Sequence, residues 1–191
     1  MNWREKNMRY EEKRATLTDG TIILLRSPAS ADAEASLQYL DTTARETEFL
    51  LYNPGERTLT LEQEQQWLEG RISDPRGVQI GAFKDGMLVG MAGVSQAVPF
   101  NRGAHRASVG IAIVKDIWHL GLGTILMREA IAAAQRMGYE KLELAVCAAN
   151  ERAKRLYDRY GFKTYGVNQH AFKYQDGHYD DEQLMALDLT V

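Results

Sequence analysis

Three features of the chain predict an α/β fold. Residues 107–114 form a nearly unbroken apolar run, with Val109, Ile111, Ile113 and Val114 separated only by small Gly110 and Ala112, and a long helical pattern follows at once. A second strand-then-helix pattern occupies 141–161. Asp-Gly pairs at 19–20, 85–86 and 176–177 mark hairpin turns between short alternating runs. An apolar strand that feeds straight into a helix is expected to be covered on both faces.

Taken in order, residues 1–12 read as a charged tail or an extra, frayed first helix. Strands at 14–17 and 21–26 flank the first Asp-Gly turn. Ser30 or Asp32 caps a helix running to about Leu40. The segment 42–60 is the least regular, with Glu46, Glu48, Phe49 and Tyr52 ahead of Asn53-Pro54-Gly55 and Glu56. Thr60 and Gln63 form a capping box that opens a helix to about Ile72. A loop at 74–77 leads to strands on either side of the second Asp-Gly turn, and a loop at 99–103 leads into the central strand. The next helix repeats apolar residues at Leu122, Ile125, Leu126, Ala130, Ala133, Ala134 and Met137, and Gly138 stops it. Leu142, Leu144 and Val146 then alternate as in a strand, Asn150 caps a helix, and Gly161 ends it. A last hairpin, about 162–174 and 178–189, turns at the third Asp-Gly pair. No internal repeat, low-complexity tract or linker interrupts the chain, so a single domain over 1–191 is expected.

Composition narrows the function classes. A hydrophobic content of 45% with 26% charged residues is that of a soluble globular protein. No apolar run approaches the roughly 20 residues of a membrane span. The charged N-terminus offers no hydrophobic stretch for a secretory signal, and a lone cysteine, Cys147, leaves no intrachain disulfide. Both lead us to expect a cytoplasmic protein. No histidine adjoins Cys147 in sequence, which favours a packing thiol over a nucleophile. A net charge of −3 argues against nucleic acid as a partner.

Two segments carry chemistry. Where the central strand turns into its helix stands Gly121-Leu122-Gly123-Thr124. Glycines there let the backbone approach a ligand, and the first helical amides point outward at the positive end of the dipole. Such a place suits a phosphate or pyrophosphate. The pair is neither the three-glycine dinucleotide fingerprint nor a P-loop, and a ligand-free turn accounts for it equally well. The second segment reads Asn150-x-x-Ala153-x-x-Leu156-Tyr157-x-x-x-Gly161-Phe162. At about 100° per residue, Asn150, Ala153 and Tyr157 share a helical face. The bland alternative makes Ala153, Leu156 and Tyr160 the core stripe and Tyr157 a half-buried ring.

Together and in this order, the two segments resemble the GNAT superfamily of acyl-CoA N-acyltransferases, closely over about 111–162 and more loosely elsewhere. The resemblance implies one mixed sheet of about seven strands flanked by about four helices. It implies acetyl-CoA as co-substrate and a primary amine of a small molecule or a peptide as acceptor, by direct attack in a ternary complex, with no metal. Family members carry Gln or Arg-x-x-Gly-x-Gly/Ala before the pyrophosphate helix; here the first position is Trp118, which matters little if backbone amides hold the phosphates. By carry-over, Ile111, Ala112 and Ile113 pair with the pantetheine arm, and His119, Leu120, Gly121, Leu122, Gly123 and Thr124 cradle the pyrophosphate. Asn150 contacts the cofactor, and Tyr157 protonates the departing thiolate. On reference pKa values near 10 for tyrosine and 8.5 for a thiol, that transfer is uphill by about 2 kcal/mol. A backbone amide near Ile113 is expected to polarise the thioester carbonyl.

No general base stands out. Relatives place a carboxylate five residues ahead of the Asn, where this chain has Ala145. Glu143 lies two residues earlier on the same face, His105 begins the central strand, and Glu46, Glu48 and Glu56 sit in the irregular segment. Each is as readily a solvated or structural group. A site without an evident base suits an α-amine, which costs about 1 kcal/mol to deprotonate at pH 7, better than a lysine amine at about 4.6. The irregular segment and the final hairpin are expected to shape the acceptor site, through Glu46, Phe49 and Glu56 with aromatic surface from Tyr52, Phe172 and Tyr174. The run 46–50 and the run 176–182 are similar to bacterial members that act on free amino acids or other small amines. A sensor or partner module that binds acyl-CoA without turnover is the alternative, and the sequence leaves a homodimer open.

Overall fold

The computed structural model describes residues 9–190, so residues 1–8 of the expected tail lie outside the described part. Residues 9–12 are not simply solvated: Tyr10 is buried, its amide donates to Ser27 Oγ at 2.9 Å, and its hydroxyl donates to Glu129 Oε2 at 2.8 Å.

Among the described residues, eight strands, one more than expected, and four helices follow one another. They are β1 (Lys13–Thr16), β2 (Ile22–Arg26), α1 (Ala33–Glu46), α2 (Leu61–Ser73), β3 (Gly77–Lys84) and β4 (Met87–Gln96). After these come β5 (Arg106–Ile113), α3 (Leu122–Arg136), β6 (Lys141–Cys147), α4 (Glu151–Arg159), β7 (Lys163–Lys173) and β8 (Tyr179–Asp188). The strand order is β1-β2-β3-β4-β5-β6-β8-β7. The sheet is mixed: β5 and β6 run parallel, while β1–β2, β2–β3, β3–β4, β6–β8 and β7–β8 are antiparallel. The chain packs as two compact units that share β5.

The first unit runs to Ser95 and adds Gly110–Ala133. Its hairpins turn where the Asp-Gly pairs stand. Gly20 has φ +88°, and the Asp19 carboxylate accepts from the Thr21 amide and hydroxyl, both at 2.9 Å. Asp85 and Gly86 both have positive φ, the pairing a two-residue hairpin turn requires. The Thr60–Gln63 capping box closes at 3.2 and 2.8 Å and starts α2 as expected. Helix α1 runs to Glu46, well past Leu40, because Ala33, Ser36, Tyr39, Thr43 and Ala44 continue its buried face through a polar-looking stretch. Ile23, Leu25, Leu68, Ile80, Val94, Leu122, Leu126 and Met127 fill this unit's core. Within it, the Ser36 hydroxyl donates to buried Glu64 at 2.6 Å.

The second unit holds Gln96–Val109 and the chain from Ala134 on. In it β6 is flanked by β5 and β8, and Leu142, Phe162 and Met185 are fully buried. Its α4 opens on Asn150, as the sequence indicates. The expectation that β5 is covered on both faces fails: Ala107 and Val109 are buried, but Ser108 and Gly110 are exposed and Ile111–Ile113 half-buried. Among the described residues, no helix is long and apolar enough to cross a membrane.

Candidate active site

In the first unit, the last residues of β5 are fixed by side chains as well as by the sheet. The parallel ladder to β6 covers Arg106–Ser108, and Ile111–Ile113 lie further along the strand. The Val114 amide donates to the Val89 carbonyl at 3.0 Å. The Tyr39 hydroxyl, from α1, donates to the Ala112 carbonyl at 2.9 Å, and the Trp118 indole Nε1–H donates to the Ile113 carbonyl at 2.7 Å. Trp118 therefore holds the end of the strand.

The chain then makes a 3-10 turn, Lys115–Ile117, whose first amide is capped by Glu46 Oε2 at 2.6 Å. Beyond it, His119 (φ +65°) and Gly121 (φ +88°) are both left-handed. The Leu120 carbonyl between them accepts from the Thr18 amide at 3.1 Å, which ties the turn to the β1–β2 loop. Helical bonding begins with the Ile125 amide on the Gly121 carbonyl at 3.2 Å, so the Leu122 and Gly123 amides precede the ladder. Amides that precede the ladder at the start of a 15-residue helix, reached through two left-handed residues, suit an anion. A Cβ at Gly121 would meet only Thr18 Cγ2, at 3.5 Å; the positive φ, rather than crowding, is what calls for glycine. This geometry fits a pyrophosphate.

In the second unit, Asn150 Oδ1 accepts from the Ala153 amide at 3.1 Å and so caps α4. Tyr157 is the residue that α4 buries, at 8% exposure, while Ala153, Leu156 and Tyr160 are half-buried. The core-stripe alternative is thereby reversed. The Tyr157 ring packs on Phe162 at 5.9 Å between centroids. Burial pushes its phenol up to about 12, and among the described residues its hydroxyl has no hydrogen-bond partner.

Glu143 is buried and held on β6 by two cations. Arg106 Nε lies 3.1 Å from both carboxylate oxygens, Arg106 Nη2 2.8 Å from Oε2, and Lys141 Nζ 3.0 Å from Oε1. Burial alone would raise its pKa, but hydrogen bonds from Arg106 and Lys141 outweigh it and hold the carboxyl below the usual range. A carboxylate so committed is a weak base, and the arrangement gives it a structural task. His105 is exposed in the turn before β5, where its carbonyl accepts from the Glu140 and Lys141 amides at 2.9 and 3.2 Å. Ala145 is exposed.

The residues suggested for the acceptor fall in both units. Glu46 ends α1 and caps Lys115, Phe49 and Tyr52 are half-buried, and Glu48 is exposed. Glu56 is folded back on its own turn by the Asn53 side chain (2.8 Å) and amide (2.9 Å), which keep its pKa low. In the second unit, half-buried Tyr174 lies between Phe172 and His178, stacking on the latter at 4.1 Å. Cys147 Sγ donates to Asp180 Oδ2 at 3.0 Å, and burial together with that carboxylate pushes the thiol up. It is a packing thiol. Among the described residues, no group of His, Cys, Asp and Glu side chains is placed to hold a metal ion. Two participants escaped the sequence reading. The Arg106–Glu143–Lys141 cluster depends on strand register, and Tyr39 reads from spacing as one more core residue of α1.

Known proteins resemble the chain in sequence and fold. The family profile described as "Acetyltransferase (GNAT) family" matches residues 39–162, and the chain belongs to that family. It is an acetyl-CoA-dependent N-acetyltransferase by membership. Over 123 residues, 63% of this chain and 74% of the relative, it is 32% identical to the L-amino acid N-acetyltransferase AaaT of Escherichia coli K12. A GNAT-family acetyltransferase from Streptococcus pneumoniae superposes with TM-score 0.82 at 29% identity, covering 87% of this chain and 99% of that one. The yncA protein of Salmonella typhimurium, solved with its cofactor acetyl-CoA, superposes with TM-score 0.77 at 19% identity, covering 93% and 96%.

Proposed function

We propose that the protein transfers the acetyl group of acetyl-CoA directly to the α-amine of a free amino acid or similarly small amine. The observation that carries this reading is Tyr157, buried on α4 with an uncommitted hydroxyl. A module that only binds acyl-CoA has no need of a hydroxyl there. The name of the relative at 32% identity supports the acceptor class.

When bound, acetyl-CoA supplies an activated acyl carbon and a thiolate leaving group. The amides at 119–124 neutralise the pyrophosphate, the backbone of 111–113 aligns the pantetheine arm, and Asn150 adds a side-chain contact. The Ile113 amide receives the thioester oxygen as charge develops on it. Tyr157 gives its proton to the sulfur. With the phenol near 12 and a thiol near 8.5, a complete transfer even to the free thiolate is uphill by about 5 kcal/mol, and sulfur still bonded to carbon is far less basic. Donation therefore accompanies the departure of sulfur rather than preceding it. With Glu143 neutralised by its two cations, deprotonation falls to water, which an α-amine permits at neutral pH.

A thiol-release assay over amino acids, polyamines, aminoglycosides and N-terminal peptides tests the reading. Turnover concentrated on amino acids is expected. Tight acetyl-CoA binding with no release for any amine would leave a cofactor-binding module, and turnover confined to peptides would overturn the acceptor class.

A further inference from the structure

The Val114 amide on the Val89 carbonyl and the Ala97 amide on the Arg106 carbonyl, both at 3.0 Å, share one antiparallel register of β4 against β5. Antiparallel pairing moves two residues forward on one strand for two back on the other, so Met91 stands opposite Ala112. A regular ladder would join the Met91 amide directly to the Ala112 carbonyl. The Tyr39 hydroxyl donates to the Ala112 carbonyl at 2.9 Å. Tyr39 is 3% exposed, so the bond is shielded from water.

The Ala112 carbonyl and the Ile113 amide belong to one planar trans peptide and point in opposite directions. A donor on the carbonyl draws charge toward oxygen and makes the amide hydrogen on the far side a stronger donor. We propose that Tyr39 is a positioning residue for acetyl transfer: bonded to the Ala112 carbonyl, its hydroxyl polarises the 112–113 peptide and strengthens the Ile113 amide that binds the thioester oxygen. Trp118, bonded to the Ile113 carbonyl at 2.7 Å, fixes the plane of the next peptide. The inference rests on the assignment of the Ile113 amide made above. A tyrosine that merely fills the core would stabilise the same fold without touching the reacting carbonyl.

The test is difference infrared spectroscopy of acetyl-CoA carrying a ¹³C-labelled carbonyl, bound to the full chain without amine, together with steady-state kinetics. In the wild type the thioester stretch falls on binding. Tyr39→Phe is expected to remove roughly 10–30% of that downshift. It should lower kcat about threefold to tenfold, less than outright loss of an oxyanion donor, and leave KM for acetyl-CoA within about twofold. Tyr39→3-fluorotyrosine, whose hydroxyl donates more strongly, should deepen the downshift, and it carries the test if the phenylalanine variant does not fold. A downshift and kcat unmoved by either change, with only thermal stability altered, overturns the inference while leaving the proposed function standing. A wild type that binds acetyl-CoA with no downshift removes the Ile113 assignment and the inference with it. A wild type that binds no acetyl-CoA removes the proposed function itself.

Discussion

At the residue scale, the proposed acid role of Tyr157 is open to direct test. Its phenol is pushed up to about 12, so it remains protonated across the working range of pH. The sign follows: a raised pKa keeps the acid form at every pH below it, and Tyr157 should impose no alkaline fall on kcat through about pH 10. Tyr157→Phe should lower kcat by about 10² to 10⁴ with acetyl-CoA affinity nearly unchanged, since the ring packed on Phe162 is kept. The loss should shrink with a donor whose thiol is more acidic. Wild-type turnover in that variant would refute the acid role. The residue itself could be picked out from the 150–162 motif, yet its burial could not. Helical spacing offers two faces of similar hydrophobicity, and only tertiary packing chooses between Tyr157 and Tyr160.

At the scale of elements, the turn into α3 and the strand pair β5–β6 make separable predictions. Gly121→Val places a branched side chain at φ +88° and should weaken CoA binding more than tenfold, as read by calorimetry with desulfo-CoA. Affinity equal to wild type would sink the assignment. Glu143→Gln should leave kcat within a few-fold while costing about 1–2 kcal/mol of stability, a modest figure because Arg106 and Lys141 are partly exposed. The pH dependence has a definite sign. A depressed carboxyl pKa contributes stability in full above the ordinary glutamate range and loses it as pH falls through that range and below. Urea midpoints at pH 7 and pH 4 should therefore draw wild type and Glu143→Gln together on acidification. A variant with kcat reduced a thousandfold would restore Glu143 as a base. The hairpins, caps and strand–helix order were readable because turn chemistry is local. The length of α1 was not, because Thr43 and Ala44 are buried by tertiary packing that no short-range pattern announces.

At the scale of the whole molecule, the fold was legible once two spaced motifs agreed, and the family profile spans both of them. The hydrogen-bonding tasks of Glu46 and Glu56 were not legible. Glu46 and Glu56 are taken up by backbone and side-chain amides of their own unit, a use that composition cannot distinguish from substrate binding. Direct attack needs both substrates bound at once, so double-reciprocal plots at several amine concentrations should intersect. Parallel lines would mean that the acetyl group first rests on the protein.

The hydrogen bond between Cys147 and Asp180 bears on how the enzyme can be measured. The chain has a single cysteine, buried and with its thiol pushed up by burial and the neighbouring carboxylate. Only the thiolate reacts readily with aromatic disulfides. Native protein should therefore take up almost none of such a reagent within the time of an assay, and one equivalent after denaturation. A continuous colorimetric readout would then report released CoA with little background from the catalyst, even at the high protein concentrations that slow variants demand. One fast equivalent from native protein would show the thiol to be accessible.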